Sequence, residues 1–239
     1  MKRILDVGSA KADKIWLDWL NALPAEVHLT DYDDMIGLYG NIKFHQGDVR
    51  ELPYNDNYFD VILAVSVIEH IGLSDPQVLQ PDVPVVETNG DVNAVKELTR
   101  VLKPEGKLIM TFPFAELDSI FAHSARVYSM NSIRKFEEVA RSVSLDYYEY
   151  QGRTVNKLFN EHVNLEKPTI KKKIYEKIIK RLPSQMNKMS AMSEDSIFIP
   201  SLPGLVTWRR KSINNPEATH VGHIDGVLCG VWTKLIKPL

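Results

Sequence analysis

The sequence predicts an α/β protein: a doubly wound, mostly parallel sheet followed by a helical and loop-rich C-terminal elaboration. Three observations carry that reading. Through residues 1–150, short apolar runs of strand length alternate with amphipathic stretches of helical period. One run, Asp60-Val61-Ile62-Leu63-Ala64-Val65, is almost wholly apolar, as in a strand covered on both faces. The first run stops at Gly8, and a helical pattern follows it.

The elements follow in order. Arg3–Val7 reads as a buried strand cut off by Gly8. Lys14–Leu23 places Ile15, Leu17, Trp19, Leu20 and Leu23 on a rough helical stripe, and Pro24 ends it. Val27–Asp31 is a second strand, and Ile42–Gln46 a third that runs into Gly47-Asp48. The fourth is Asp60–Val65. Gly72–Asn93, rich in Pro, Asp and Val, reads as a loop insertion. Ala94–Leu102 is a helix with Val95, Leu98, Val101 and Leu102 on one side. Lys103-Pro104-Glu105-Gly106 is a turn into a fifth strand, Lys107–Phe112. Residues 154–220 lack α/β alternation and hold Pro168, Pro183, Pro200, Pro203 and Pro216. The expected division is therefore a core over 1–153, an insertion over 154–220 and a returning strand within 221–239.

Composition narrows the class. With 44% hydrophobic and 25% charged residues, the 239-residue chain matches ordinary globular proteins and can bury a sizeable core. The one cysteine, Cys229, excludes an intrachain disulfide framework and a Cys-rich zinc site. Its neighbours Gly226 and Gly230 suit a small buried side chain. No apolar run is long enough to span a bilayer, and Met1-Lys2-Arg3 leads directly into a strand, so a cytoplasmic protein is expected.

Charge is unevenly spread. Residues 1–150 carry 14 Lys+Arg against 24 Asp+Glu, and residues 151–239 carry 15 against 7. That asymmetry suggests different partners for the two parts. The basic stretch Lys167–Lys188 holds eight Lys/Arg against Glu176 alone, with Ile170, Ile174, Ile178 and Leu182 on one helical face. Its first reading is a packed helix with a solvated basic face. The alternatives are a helix lying on an anionic membrane surface and a contact with a phosphorylated substrate. Only Tyr175 interleaves with the charges, so no nucleic-acid partner is expected. His220-x-x-His223 lacks an evident third ligand, and no metal is expected.

Function points to the carboxyl ends of the strands, where open parallel sheets bind ligands. Gly8 there allows close backbone approach, and free N–H groups lie behind it. Asp31 ends the second strand 23 residues later, where a carboxylate can accept both hydroxyls of a ribose. Asp48 follows the third strand, within reach of an adenine edge. Ala64-Val65-Ser66 ends the fourth and forms the remaining wall. The first turn, Gly8-Ser9-Ala10-Lys11-Ala12, lacks the further glycines of a dinucleotide loop, and no G-x-x-x-x-G-K-[ST] loop occurs. A cofactor with ribose and adenine but no phosphates fits best.

These pieces together resemble class I S-adenosylmethionine-dependent methyltransferases of the methyltransferase-11 type. The matching segments are Ile4–Ala10, Leu29-Thr30-Asp31, Gly47-Asp48-Val49 with Leu52-Pro53, Phe59–Ile71 and Glu97–Leu108. The resemblance covers about residues 1–150. It implies a Rossmann-like methyltransferase fold and S-adenosyl-L-methionine as cofactor. It places Asp6, Gly8, Ser9 and Ala10 around the methionine part, Asp31 with Tyr32 at the ribose, Asp48 with Val49 near the adenine amine, and Val65 and Ser66 along the wall. Where that family has G-x-G-x-G, this chain has Gly8-x-Ala10-x-Ala12, and Pro-Gly-Gly becomes Pro104-Glu105-Gly106. Alanine at those positions would be strained if φ had to be positive. Phe112-Pro113-Phe114 with Arg126-Val127-Tyr128 resembles a subset associated with surface-glycan biosynthesis, and that resemblance implies a helix over Ser132–Ala140, a strand over Ser144–Tyr150 and Val227–Leu235 as the last strand closing the sheet.

The expected reaction is methyl transfer to an oxygen or nitrogen of a small acceptor, such as a sugar or a lipid-linked intermediate. Such an acceptor needs a base. His70, just past the fourth strand, is the first candidate, with His123 and Tyr128 after the fifth. His162, His220 and His223 are not favoured. The alternative is a non-catalytic binding protein on the same scaffold, suggested by the glycine-poor turn.

Overall fold

The computed structural model describes residues 1–35, 37, 40–73, 87–121, 124–150, 208–213 and 226–235. Its sheet begins with β1 (Lys2–Val7), which pairs in parallel with β2 (Ala25–Asp31) on one side and β4 (Phe59–Val65) on the other. β3 (Lys43–Gln46) adds in parallel outside β2, and β5 (Leu102–Pro113) in parallel outside β4. The final strand, β10 (Gly226–Lys234), runs antiparallel to β5, with Cys229 opposite Thr111. β8 (Ala140–Tyr150) and β9 (Trp208–Lys211) complete the order β3-β2-β1-β4-β5-β10-β8-β9. The doubly wound, mostly parallel sheet is therefore present; Gly226–Lys234 returns to it beside β5, but as an interior strand with β8 and β9 outside it, where the sequence reading expected the closing strand.

Why these strands read as apolar is visible in their packing. Leu5, Val7, Ile62, Ala64, Leu108 and Met110 belong to one core cluster, shared with Ala94, Val95 and Leu98 of α2 (Gly90–Val101). Leu29 and Leu63 belong to another, shared with Leu17 and Leu20 of α1 (Lys14–Asn21), with Ile4 and Ile109 packed against it. A sheet covered on both faces leaves only its strand ends for chemistry. α1 starts where Asp13 caps the amide of Ile15 at 2.8 Å.

Three differences from the sequence reading have local causes. α2 begins four residues early, at Gly90. There Gly72 (φ +80°) and Gly90 meet so closely that a Cβ on either would strike backbone. The amide of Glu87 bonds Gly72 O at 2.8 Å, and Arg126 fastens the same neck through Ile71 O at 2.6 Å and Glu87 O at 2.9 Å. Second, the Lys103–Gly106 turn lies within β5 as a bulge, since Phe59 pairs with Leu102 but Val61 with Lys107. Third, the expected helix over Ser132–Ala140 forms as α3 (Met130–Ile133) and a 3-10 turn (Arg134–Glu138), after which β8 starts at Ala140. β6 (Ser119–Phe121) and β7 (Ala125–Val127) form a separate hairpin after β5.

The chain divides into two units, Met1–Tyr148 with Arg210–Leu239, and Glu149–Arg209. Most of the second lies outside the described residues. So do the basic stretch Lys167–Lys188 and His162, His220 and His223. Trp208–Lys211 is a strand, in a stretch expected to be helical and loop-rich. Among the described residues, no helix is long and apolar enough to cross a membrane.

Glu105 sits in the bulge at φ +64°, where a non-glycine backbone is strained. Glu105→Gly is expected to stabilise the protein by about 1 kcal/mol. Urea unfolding reads the change, and an unchanged or lower midpoint would show that the bulge already relieves the strain.

Candidate active site

The first turn is built around a buried carboxylate. Asp6, near the end of β1, is 2% exposed. Its Oδ2 accepts the Ser9 hydroxyl and the Trp16 indole N–H, the latter at 2.8 Å. Burial pushes its carboxyl up to about 6, although both hydrogen bonds pull it down. Asp6 and the buried Ser9 thus hold the loop from beneath. Gly8 has φ +82° and gives its amide to Thr30 O at 2.8 Å. A Cβ there would run into the methyls of Val67 after β4. Only this position of the turn needs glycine: Ala10 and Ala12 are not among the residues at positive φ. The two alanines therefore cause no backbone strain.

Asp31 stands at the end of β2, half-buried. Its Oδ2 accepts the Ala10 amide at 2.8 Å and its Oδ1 the Asp33 amide at 3.0 Å. A carboxylate has about four acceptor positions, so about two stay available. Tyr32 beside it is 76% exposed.

Asp48 differs. Its Oδ1 accepts the Arg50 amide at 2.8 Å and Nε at 2.9 Å, and its Oδ2 accepts Nε at 3.0 Å and Nη2 at 2.5 Å. Arg50 therefore takes up most of the acceptor capacity of Asp48, and its hydrogen bonds hold the carboxyl below the usual range. The Arg50 Nη1 reaches Glu87 in addition. Val49 between them is a core residue.

At the end of β4, Val65 is exposed and Ser66 adopts φ +56°. The Ser66 amide donates to Thr111 Oγ1 at 2.9 Å, and its hydroxyl to Glu69 Oε1 at 2.8 Å. Glu69 is 1% exposed, its other oxygen has no hydrogen-bond partner, and burial pushes its carboxyl up. His70 ends the 3-10 turn Ile68–His70. Its Nδ1 lies 2.6 Å from Ser124 O. A carbonyl only accepts, so Nδ1 carries the hydrogen and the exposed ring offers Nε2 as its lone pair.

The structure thus brings Asp6, Gly8, Ser9, Ala10 and Asp31 together at one turn, and Val67 links Gly8 to the end of β4. It does not place Tyr128 as a base. Tyr128 is buried against Phe112 and Phe136, and its hydroxyl donates to Asp91 at 3.1 Å. Burial, and next the Asp91 charge, push its phenol far above the ordinary value. His123 lies outside the described residues. Sequence reasoning missed Arg50, Thr111 and Arg126. The i, i+2 spacing from Asp48 to Arg50 is the signature of an Asx turn and was the available signal for the first.

Residues 5–110 match the family model described as methyltransferase domain. A ubiquinone/menaquinone biosynthesis C-methyltransferase of Idiomarina loihiensis is 26% identical over 119 residues, covering 50% of this chain and 40% of that protein. The enzyme of the same name from Azotobacter vinelandii is 27% identical over 120 residues, covering 45% and 41%. The chain spans about two-fifths of the length of these curated relatives. Among solved structures, that of the MccD protein aligns with 98% of this chain and 90% of its own at a TM-score of 0.57 and 14% identity, a likeness of fold.

Two predictions follow from the first turn. Asp6 holds its proton up to about pH 6 when folded, against about 3.8 for the ordinary carboxyl. The folded state therefore binds the extra proton between those values, and stability falls as pH rises through that window, by up to ~3 kcal/mol. Asp6→Asn keeps an acceptor oxygen and abolishes this loss. Urea unfolding of both proteins at about pH 4.5 and about pH 7 measures it, and parallel profiles would refute it. Gly8→Ala is expected to cost about 1–3 kcal/mol. Adding Val67→Ala relieves the clash but not the backbone strain, so it recovers only part of that cost.

Proposed function

We propose, on the match of residues 5–110 to the methyltransferase domain model, that the protein transfers a methyl group from S-adenosyl-L-methionine to a small-molecule acceptor. The observation that carries the cofactor assignment is the acceptor capacity of Asp31. About two of its lone-pair positions are unused at the end of β2, matching two ribose hydroxyls. The first turn, which lacks the glycines of a dinucleotide loop, and the sequence, which has no G-x-x-x-x-G-K-[ST] loop, support the same choice.

When bound, the cofactor supplies a sulfonium-activated methyl group, so the protein's work is chiefly positioning and water exclusion. Asp6 and Ser9 fix the turn under the methionine part. Ala10 holds Asp31 in place for the ribose. Ser66, locked by Thr111 and Glu69, shapes the wall beyond β4. His70, with Nδ1 held by Ser124, takes the acceptor's proton at Nε2. That role suits an oxygen or nitrogen acceptor, including a sugar or lipid-linked one. The curated relatives are named for C-methylation, which makes carbon the second reading.

Isothermal calorimetry with S-adenosylhomocysteine tests the cofactor half. Wild type is expected to bind, and Asp31→Ala to weaken binding at least ~10-fold, the loss of one or two hydrogen bonds to a charged acceptor. No binding by wild type, or no effect of Asp31→Ala, overturns it. Incubation with carbon-13 methyl-labelled cofactor and a small-molecule extract tests the transfer, because the methyl chemical shift separates O-, N- and C-bound products. His70→Ala is expected to lower turnover ~100-fold or more without changing S-adenosylhomocysteine affinity.

A further inference from the structure

Asp31 ends β2 and Asp48 lies two residues past β3, yet their acceptor capacities differ. Asp31 has about two lone-pair positions free. Asp48 carries three N–H groups of Arg50: the amide on Oδ1, Nη2 on Oδ2, and Nε shared between the two. About one position is left, and the guanidinium lies along both oxygens, so a further amine competes with it for the carboxylate.

Next to this pair lies a cleft of about 620 Å³ lined by Asp48, Arg50, Glu51, Glu87 and Glu97 with Asn93, Lys96 and Arg100. Arg50 already extends its Nη1 to Glu87 at that wall. The Glu87 main chain is fixed by Gly72 and Arg126, so this second acceptor stays in place when the guanidinium moves. The cleft therefore offers room and acidic partners to a guanidinium that has left Asp48. The Asp48 and Arg50 side chains are each 34% exposed, so the pair is weak enough to exchange.

We infer that Arg50 is a resident competitor for Asp48, and that a ligand's exocyclic amine gains the guanidinium's place on Asp48 as Arg50 swings toward Glu87 in the adjoining cleft. This rests on the reading that Asp48 meets the adenine of the cofactor. Once Arg50 has moved, Asp48 keeps its bond from the Arg50 amide and regains acceptor positions for the amine. Arg50 thereby lowers the affinity for any adenosine ligand and selects for ligands whose amine can replace it.

Calorimetry with S-adenosylhomocysteine and with S-inosylhomocysteine, which carries a carbonyl in place of the amine, tests this on the full chain. Arg50→Met is expected to bind S-adenosylhomocysteine about 3- to 10-fold tighter than wild type, the size of a part-exposed ion pair. Its preference for the adenosine ligand over the inosine one is expected to rise by a similar factor. In wild type, adding salt weakens the pair, so S-adenosylhomocysteine affinity rises with ionic strength. In Arg50→Met that rise is absent. Equal or weaker binding by Arg50→Met, or a salt dependence shared by both proteins, overturns the competition alone. Failure of both proteins to bind S-adenosylhomocysteine overturns the cofactor assignment, and the competition with it.

Discussion

The buried carboxylate of Asp6 is the interaction on which the candidate site depends. It collects the Ser9 hydroxyl and the Trp16 indole on one oxygen, and so ties the turn after β1 to the helix that follows it. With the turn fixed, the Gly8 amide meets Thr30, and the Ala10 amide meets Asp31. The ends of β1 and β2 are thereby held at one spacing. Gly8 also lies under Val67, which sets the end of β4 against the same turn. Three strand ends are registered through one short loop, two by hydrogen bonds from its amides and the third by packing on Val67.

Much of this was legible in the sequence. A parallel sheet covered on both faces imposes apolar strands, and β1, β2, β4 and the core of β5 appear where the runs of Ile, Leu and Val place them. The order Gly8, Asp31, Asp48 marks successive strand ends because a right-handed crossover connection brings each to the same edge. What was not legible depends on distant partners. Nothing near Tyr128 shows that its hydroxyl meets Asp91, and a tyrosine in a polar-looking stretch reads equally well as a site residue. The early start of α2 arises from Gly72 and Gly90 packing against each other, a contact between residues 18 apart that leaves no periodic trace. The alanines at positions 10 and 12 illustrate the converse. As letters they suggest a defective glycine loop, but only Gly8 has the left-handed backbone that demands glycine.

Acceptor counting separates the two carboxylates that the sequence treats alike. Both lie at strand ends and both are partly exposed. Asp31 spends its capacity on two amides of nearby loops, one on each oxygen, which orients it without exhausting it. Asp48 instead meets a guanidinium two residues away, the one side chain able to fill both its oxygens at once. The distinction between an aspartate that is poised and one that is occupied lies in its neighbours' donors, not in its position along the chain.

Strain points to the same edge of the sheet. Among the described residues, three other than glycine have positive φ: Asn57, Ser66 and Glu105. Glu105 is exposed in the β5 bulge, and Asn57, in the turn before β4, gives its amide to Arg100 O at 3.1 Å and accepts Lys234 on Oδ1. Ser66 is secured at the end of β4 itself, its amide by Thr111 and its hydroxyl by the buried Glu69. A left-handed serine persists only where its surroundings over-determine it. Glu69 gives one oxygen to that task while the other has no partner, a cost that an apolar residue at the same place would avoid. The polar side chain at position 69 is therefore explained by what it does to Ser66. That serine directly follows β4, beside the turn that Asp6 holds, so a left-handed residue secured by buried and polar partners stands at the same strand edge as the candidate site.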